Sequence, residues 1–559
     1  MRGFKKRRVV PLLAVLLLLQ ACGGGGGGGG AIQIDPSALA TPQPPPSPPS
    51  AGTACAALRG AKVDSAAIGL PTQGATVTEA ALVPSAGQTG EHCMLKGRIA
   101  SVSDGAQDIM FALVLPSNWN GNAMHFGGGG FDGVVPDLVT TPLTSGASPL
   151  QRGYAIFADD SGHQAPPTDP FYTAFATNSE MLRNYAGDGL KKTRDVAMKL
   201  IGLRYGKAPA KTYFMGGSKG GHEGMQVMQK WPSDYDGVVT YFPAYAYMPQ
   251  MMTIQVGTRA LWGDGGVGFL SPKKLQTLRT AELAACDALD GAVDGIVGNV
   301  AACTFKPQNL RCKGGADTGD DCLSDAQIKT VDTLQSRTEF SYAFKNGATS
   351  NPGFLPSTDY ASVLGATAIF PVPPNPLVLG SLGALPDAFI RNAVLMDPLG
   401  LSIGLDGASP GSYLPRIQEL SGVMDATSTN IEPFVARGGK WLLVHGTSDP
   451  LIPFQGSVDY YNALLLKLGR PQVDAFLRFY QVPGYGHGTG HFNATGGVPV
   501  LDALEAWVER GKAPGELMAT DANPATAGRT RPLCIYPSWP KYNGSGELNA
   551  ASSYRCATS

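Results

Sequence analysis

Three residues of this chain stand in contexts suited to joint covalent chemistry. Ser218 lies in Gly216-Gly217-Ser218-Lys219-Gly220, with Gly221 following, and fits the G-x-S-x-G pattern. Such a turn between a strand and a helix holds a serine Oγ above a sheet edge and aims the next N–H at a reacting carbonyl oxygen. Asp449, in His445-Gly446-Thr447-Ser448-Asp449-Pro450, and His487, in Pro483-Gly484-Tyr485-Gly486-His487-Gly488, follow it in the order Ser, Asp, His. Each comes just after an apolar run, where the C-terminal end of a parallel strand would present it. His491, four residues beyond His487, is the rival base. The chemistry implied is attack by Ser218 on an ester carbonyl, with His487 taking the proton and Asp449 orienting the imidazole. An oxyanion would need two donors. The expected pair is the Lys219 N–H and, from the glycine run after His125-Phe126, the Gly130 N–H. Two competing readings keep the residues but change the outcome. One is a surface ligand-binding protein that has lost catalysis. The other is the same fold turned to acyl transfer or peptide cleavage.

The elements that must position these residues are legible as alternating patterns. Strands are expected over 108–115, 123–126, 154–158, 212–215 and 238–241, with helices over 190–204 and 222–230. The rhythm resumes with a strand at 441–444, a helix at 455–468, a strand at 476–482 and a helix at 498–510. Strand–helix alternation of this kind marks a parallel sheet with crossover helices. Between the two halves, 247–430 lacks the rhythm and carries four cysteines, many turns and a few amphipathic helices, such as 272–285 and 324–335. The expected architecture is α/β, an α/β-hydrolase fold, with 53–246 and 431–559 as the catalytic domain and 247–430 as a large inserted lid.

Composition narrows the class. The formal net charge is -1, which argues against a nucleic-acid partner. Arg2, Lys5, Lys6, Arg7 and Arg8 precede a short apolar run ending in Leu19-Gln20-Ala21-Cys22, which resembles a bacterial lipobox. Residues 1–22 then read as a lipoprotein signal, with Cys22 the lipidated residue; an ordinary signal peptide cleaved near Ala21 is the alternative. The stretch 23–52, opening on eight glycines, reads as a flexible tether. The remaining eight of the nine cysteines fall in close sequential pairs. The pairings expected are Cys55–Cys93, Cys286–Cys303, Cys312–Cys322 and Cys534–Cys556, out of 105 possible. The chain is thus expected to be an exported bacterial lipoprotein, monomeric, touching a membrane only through its anchor.

With these motifs in hand, the chain resembles the tannase and feruloyl esterase family, and within it the bacterial hydrolases of terephthalate monoesters. The resemblance runs from Cys55 to Cys556. It includes Trp119-Asn120-Gly121, the 127–130 loop, Tyr213-Phe214-Met215-Gly216 with Ser218, His445-Gly446 with Asp449, Val482-Pro483-Gly484 with His487, and Arg529-Thr530-Arg531-Pro532-Leu533-Cys534. It implies a small aromatic ester substrate of feruloyl, galloyl or terephthalate-like type, with the lid shaping the acyl pocket. It also implies a structural Ca²⁺ in the lid, on the side chains of Asp287, Asp290 and Asp294 and the carbonyls of Ala292 and Ile296. Close carboxylates repel unless a hard cation joins them, and Ca²⁺ prefers six or more oxygens. Two features depart from the family. Gly217 and Gly488 stand where members carry a disulfide beside the catalytic serine and histidine. The lid arginine followed by aromatic residues that holds a terephthalate carboxylate has no counterpart between Gly353 and Asp406, where Arg391 is the sole arginine.

Overall fold

The computed structural model describes residues 50–140 and 143–558. The signal segment, the lipobox with Cys22 and nearly all of the 23–52 tether lie outside the described residues.

Ten strands form one mixed sheet: β1 (Lys62–Val63), β2 (Ala75–Val83), β3 (His92–Ile99), β4 (Ile109–Pro116), β5 (Asn122–Phe126), β6 (Ala155–Asp159), β7 (Lys211–Gly217), β8 (Gly237–Tyr241), β9 (Lys440–Gly446) and β10 (Leu477–Val482). Their spatial order is β1-β2-β3-β4-β6-β5-β7-β8-β9-β10. From β6 to β10 the neighbours pair in parallel, and β1 to β4 with β6 pair antiparallel. The antiparallel strands β1 to β3 extend the sheet beyond the expected set. The principal helices are α1 (Ala51–Ala56), α2 (Gly189–Tyr205), α3 (Lys219–Lys230), α4 (Tyr247–Trp262), α5 (Pro272–Cys286), α6 (Asp325–Gln335), α7 (Pro376–Phe389), α8 (Leu414–Met424), α9 (Phe454–Leu468) and α10 (Val500–Arg510). Helix α1 starts inside the expected tether, where Ser50 Oγ accepts the Thr53 N–H, and Cys55 ties it to β3 through Cys93.

Continuous apolar runs suit strands covered on both faces, and successive side chains then divide between two cores. Tyr213 and Met215, Val239, Leu442 and Val444 join one cluster, together with Leu504 and Trp507 of α10. Their neighbours Phe214, Val238, Trp441 and Leu443 join the other, with Val227 of α3 and Leu464 of α9. All four disulfides form in the expected pairing.

The segment 247–430 carries α4 to α8. Ser271 caps α5 ahead of Pro272 at its first turn, and Ser324 with Gln327 makes a capping box at α6, both standard helix starts. This segment is bound to the sheet domain through a shared apolar cluster. Phe131, Phe175 and Tyr185 pack there with Tyr247, Phe389 and Leu420.

The register decides where the chemistry sits. Gly217 of β7 is level with Tyr241 of β8, Val444 of β9 is level with Tyr241 and Tyr480, and Gly446 is level with Val482. The C-terminal ends of β7, β9 and β10 therefore open on one edge of the sheet, and Ser218, Asp449 and His487 are on the loops that leave it.

Candidate active site

Ser218 follows β7 immediately and caps α3, with φ 59° and ψ −119°. A non-glycine residue at positive φ is costly and persists only where its surroundings hold it. Its N–H is tied to the Tyr241 carbonyl at 3.0 Å, and its carbonyl accepts the His222 N–H at 3.0 Å. The motif glycines permit the turn. A Cβ on Gly216 would lie 2.6 Å from the Gly220 carbonyl, and one on Gly220 would lie 2.7 Å from the Gly128 carbonyl oxygen.

Asp449 is buried in the loop after β9. Its Oδ1 accepts the N–H groups of Leu451 at 2.8 Å and Ile452 at 2.9 Å. Its Oδ2 lies 2.9 Å from His487 Nδ1, which donates to it. Burial pushes the Asp449 carboxyl up, but the attraction and hydrogen bond of His487, together with His445, outweigh it and hold it below the usual carboxylate range. The same bond orients the imidazole by Nδ1. Phe242 packs on the His487 ring, centroids 4.5 Å apart. His491 has no hydrogen bond to Asp449; its main-chain carbonyl is instead bound by Arg529.

Ser218 and His487 line one cavity of about 380 Å³, with the 127–129 loop, Tyr241, Phe242 and Tyr485. A concave site of this size suits a small organic ligand. The N–H groups of Lys219, Gly129 and Gly130 donate to no described protein acceptor. Gly130, the expected second oxyanion donor, is not on the cavity wall. It has φ +60°, and its carbonyl accepts the Tyr185 hydroxyl. Gly129 stands on the wall instead. The lid, expected to shape the pocket, contributes no described residue to this cavity.

One feature of this site was missed in the sequence. Lys219 Nζ is buried and pairs with Glu223 Oε1 at 2.5 Å, with Asp132 Oδ2 at 3.9 Å and the Tyr185 ring centroid at 4.3 Å. Burial disfavours the ammonium, but Asp132 and Glu223 outweigh it and keep Lys219 charged. Asp132, which also takes the Ser161 hydroxyl, is pushed up, chiefly by burial. Glu223 Oε2 accepts the Gly128 N–H at 3.0 Å. The Lys219-x-x-x-Glu223 spacing, one helical turn, was the available signal.

The loop expected to hold calcium lies after α5. Asp287, Asp290 and Asp294 accept main-chain N–H groups of Gly295, Ala292 and Ile296 respectively. Burial, with Asp294 and Asp287 adding to it, pushes Asp290 up to about 7, and burial raises Asp287 as well. That is the tension a dication would relieve. Arg531 and Tyr554 take the remaining oxygen of Asp294. Among the described residues, no group of three or more His, Cys, Asp or Glu side chains is arranged to hold a metal ion. Arg391 is engaged elsewhere, on Asp387 and the Pro398 carbonyl.

Residues 93–557 match the family model described as tannase and feruloyl esterase. An uncharacterized esterase of Agrobacterium fabrum is 37% identical over 93% of this chain and 95% of its own. The mono(2-hydroxyethyl) terephthalate hydrolase of Piscinibacter sakaiensis is 32% identical over 85% and 86%. The crystal structure of feruloyl esterase B from Aspergillus oryzae superposes with a TM-score of 0.73 at 23% identity, over 90% of this chain and all of that one, and shares its fold.

Proposed function

The chain belongs to the tannase and feruloyl esterase family and is a carboxylic ester hydrolase, and on that premise we propose that it cleaves small aromatic esters through a Ser218–His487–Asp449 triad and an acyl-enzyme. Ser218 Oγ attacks the ester carbonyl while His487 Nε2 takes its proton. Asp449 holds the imidazole by Nδ1 and stabilises its cationic form. The imidazolium then protonates the leaving alcohol, and a water activated by His487 releases the acid. The Lys219 and Gly129 N–H groups face the oxyanion, with Gly129 taking the role expected of Gly130. The observation that carries this reading is the 2.9 Å His487–Asp449 bond beside a serine held at positive φ on the same cavity wall.

A fluorophosphonate probe tests it. Labelling at Ser218, abolished in Ser218→Ala, supports the mechanism; labelling elsewhere, or none, overturns it. Methyl ferulate, methyl gallate and mono(2-hydroxyethyl) terephthalate are the substrates to compare. With Arg391 committed to Asp387, the terephthalate monoester is expected to be the poorest. A ligand-binding role without catalysis finds no support among these relatives, which bear the names of esterases and hydrolases.

Ca²⁺ is held for structure by Asp287, Asp290 and Asp294 with the carbonyls of Ala292 and Ile296, which requires Asp294 to share or release Arg531. Four disulfides fit an exported protein, and Cys22 carries a lipid that anchors it to a bacterial membrane. The enzyme acts as a monomer.

A further inference from the structure

We infer that the cavity beside Ser218, to whose described wall 247–430 contributes no residue, is an apolar subsite built for an uncharged hydrocarbon arm of the ester. This deepens the reading above and rests on it.

Among the described residues the cavity wall carries no Asp, Glu, Lys or Arg, and none of its members comes from 247–430. Away from the reacting groups its wall is Val134, Pro136, Leu143, Tyr241, Phe242, Tyr485, Thr495 and glycines. The hydroxyl hydrogens on the wall are already spent. Tyr241 donates to the Leu143 carbonyl at 2.9 Å, Thr495 to the Gly488 carbonyl at 3.2 Å, and Tyr485 bonds Thr495 Oγ1 at 3.1 Å. The nearby ammonium of Lys219 is buried on Glu223 and unavailable to a ligand.

A carboxylate carried onto the apolar part of this wall would give up hydration and meet no Lys or Arg among the described residues, which is unfavourable. A hydrocarbon arm exchanges water for apolar contact at every methylene, worth roughly a threefold to fourfold gain in kcat/KM per group. The glycines widen the space. A Cβ on Gly488 would meet nothing within 4 Å. The class of substrate is therefore a neutral ester with an unionised alkyl or aryl arm.

The test uses two series on the wild-type protein. One varies the acyl chain of p-nitrophenyl esters from acetate to hexanoate; the other varies the alcohol of benzoate esters from methyl to butyl. A rise of about threefold per methylene in one series supports the inference and tells which side of the ester enters the cavity. Where the acyl series is the one that rises, mono-(p-nitrophenyl) adipate should be at least about tenfold poorer than p-nitrophenyl hexanoate. Val134→Arg, at a position 63% exposed and therefore compatible with folding, should reverse that preference by bringing a cation to the cavity mouth. Flat rates in both series, or a rising acyl series with equal rates for the adipate and the hexanoate, would overturn the inference while leaving Ser218-dependent hydrolysis standing. Absence of any Ser218-dependent hydrolysis would overturn the triad reading and this one with it.

Discussion

Glu223 holds Gly128 by its main-chain N–H, Oε2 to N at 3.0 Å, while its other oxygen carries the Lys219 ammonium. The loop that brings Gly129 to the cavity is thereby fastened to the helix that Ser218 caps. Glu223 touches no reacting atom and acts as a positioning residue. Glu223→Gln should lower kcat about tenfold with KM little changed, less than the 10²–10³ lost when an oxyanion donor itself is removed. Rescue in Glu223→Asp is not expected, because the shorter side chain cannot span both partners. An unchanged kcat with a lowered melting temperature would reduce Glu223 to a structural part.

Ser218→Ala should cost on the order of 10⁶ in kcat, and His487→Ala a comparable loss, with the fold intact by circular dichroism. His491→Ala should stay within a few-fold of wild type, since His491 makes no bond to Asp449. A severe His491 variant beside a mild His487 variant would exchange the base.

Added Ca²⁺ should raise the melting temperature of chelator-treated protein. At 100 times its Kd a ligand contributes about 2.7 kcal/mol to the folded state. Asp290→Asn should abolish the shift. If calcium leaves the melting temperature unmoved and the purified protein contains none, the Arg531–Asp294 pair is the loop's own solution to its charge.

Glu282 of α5 is buried, and burial, against bonds from the Ser357 N–H and Gln335, pushes its carboxyl up to about 7. A carboxyl raised in the folded state binds its proton more tightly there than when unfolded. Its contribution is therefore favourable at low pH and is lost as pH rises from about 4.5 through about 7. The loss is roughly 3 kcal/mol at one pKa unit per 1.36 kcal/mol. Glu282→Gln should flatten the decline in melting temperature across that window; an unaltered slope would assign the pH dependence elsewhere.

The order Ser218, Asp449, His487 and the strand ends that present them were legible in the sequence. A nucleophile elbow and a strand of buried apolar residues are determined by neighbours in the chain, through sterics and side-chain periodicity. The four disulfides were legible for a related reason: their partners are close in sequence, separated by 38, 17, 10 and 22 residues. The tertiary structure alone decided the rest. Glu223 reaches Gly128 across 95 residues, and Arg531 reaches Asp294 across 237. Gly129 stands on the cavity wall and no described residue of 247–430 does, while Phe131 and Tyr185 pack with Tyr247, Phe389 and Leu420 of that segment. Such contacts follow from sheet register and the path of loops, and local residue preferences carry no record of either.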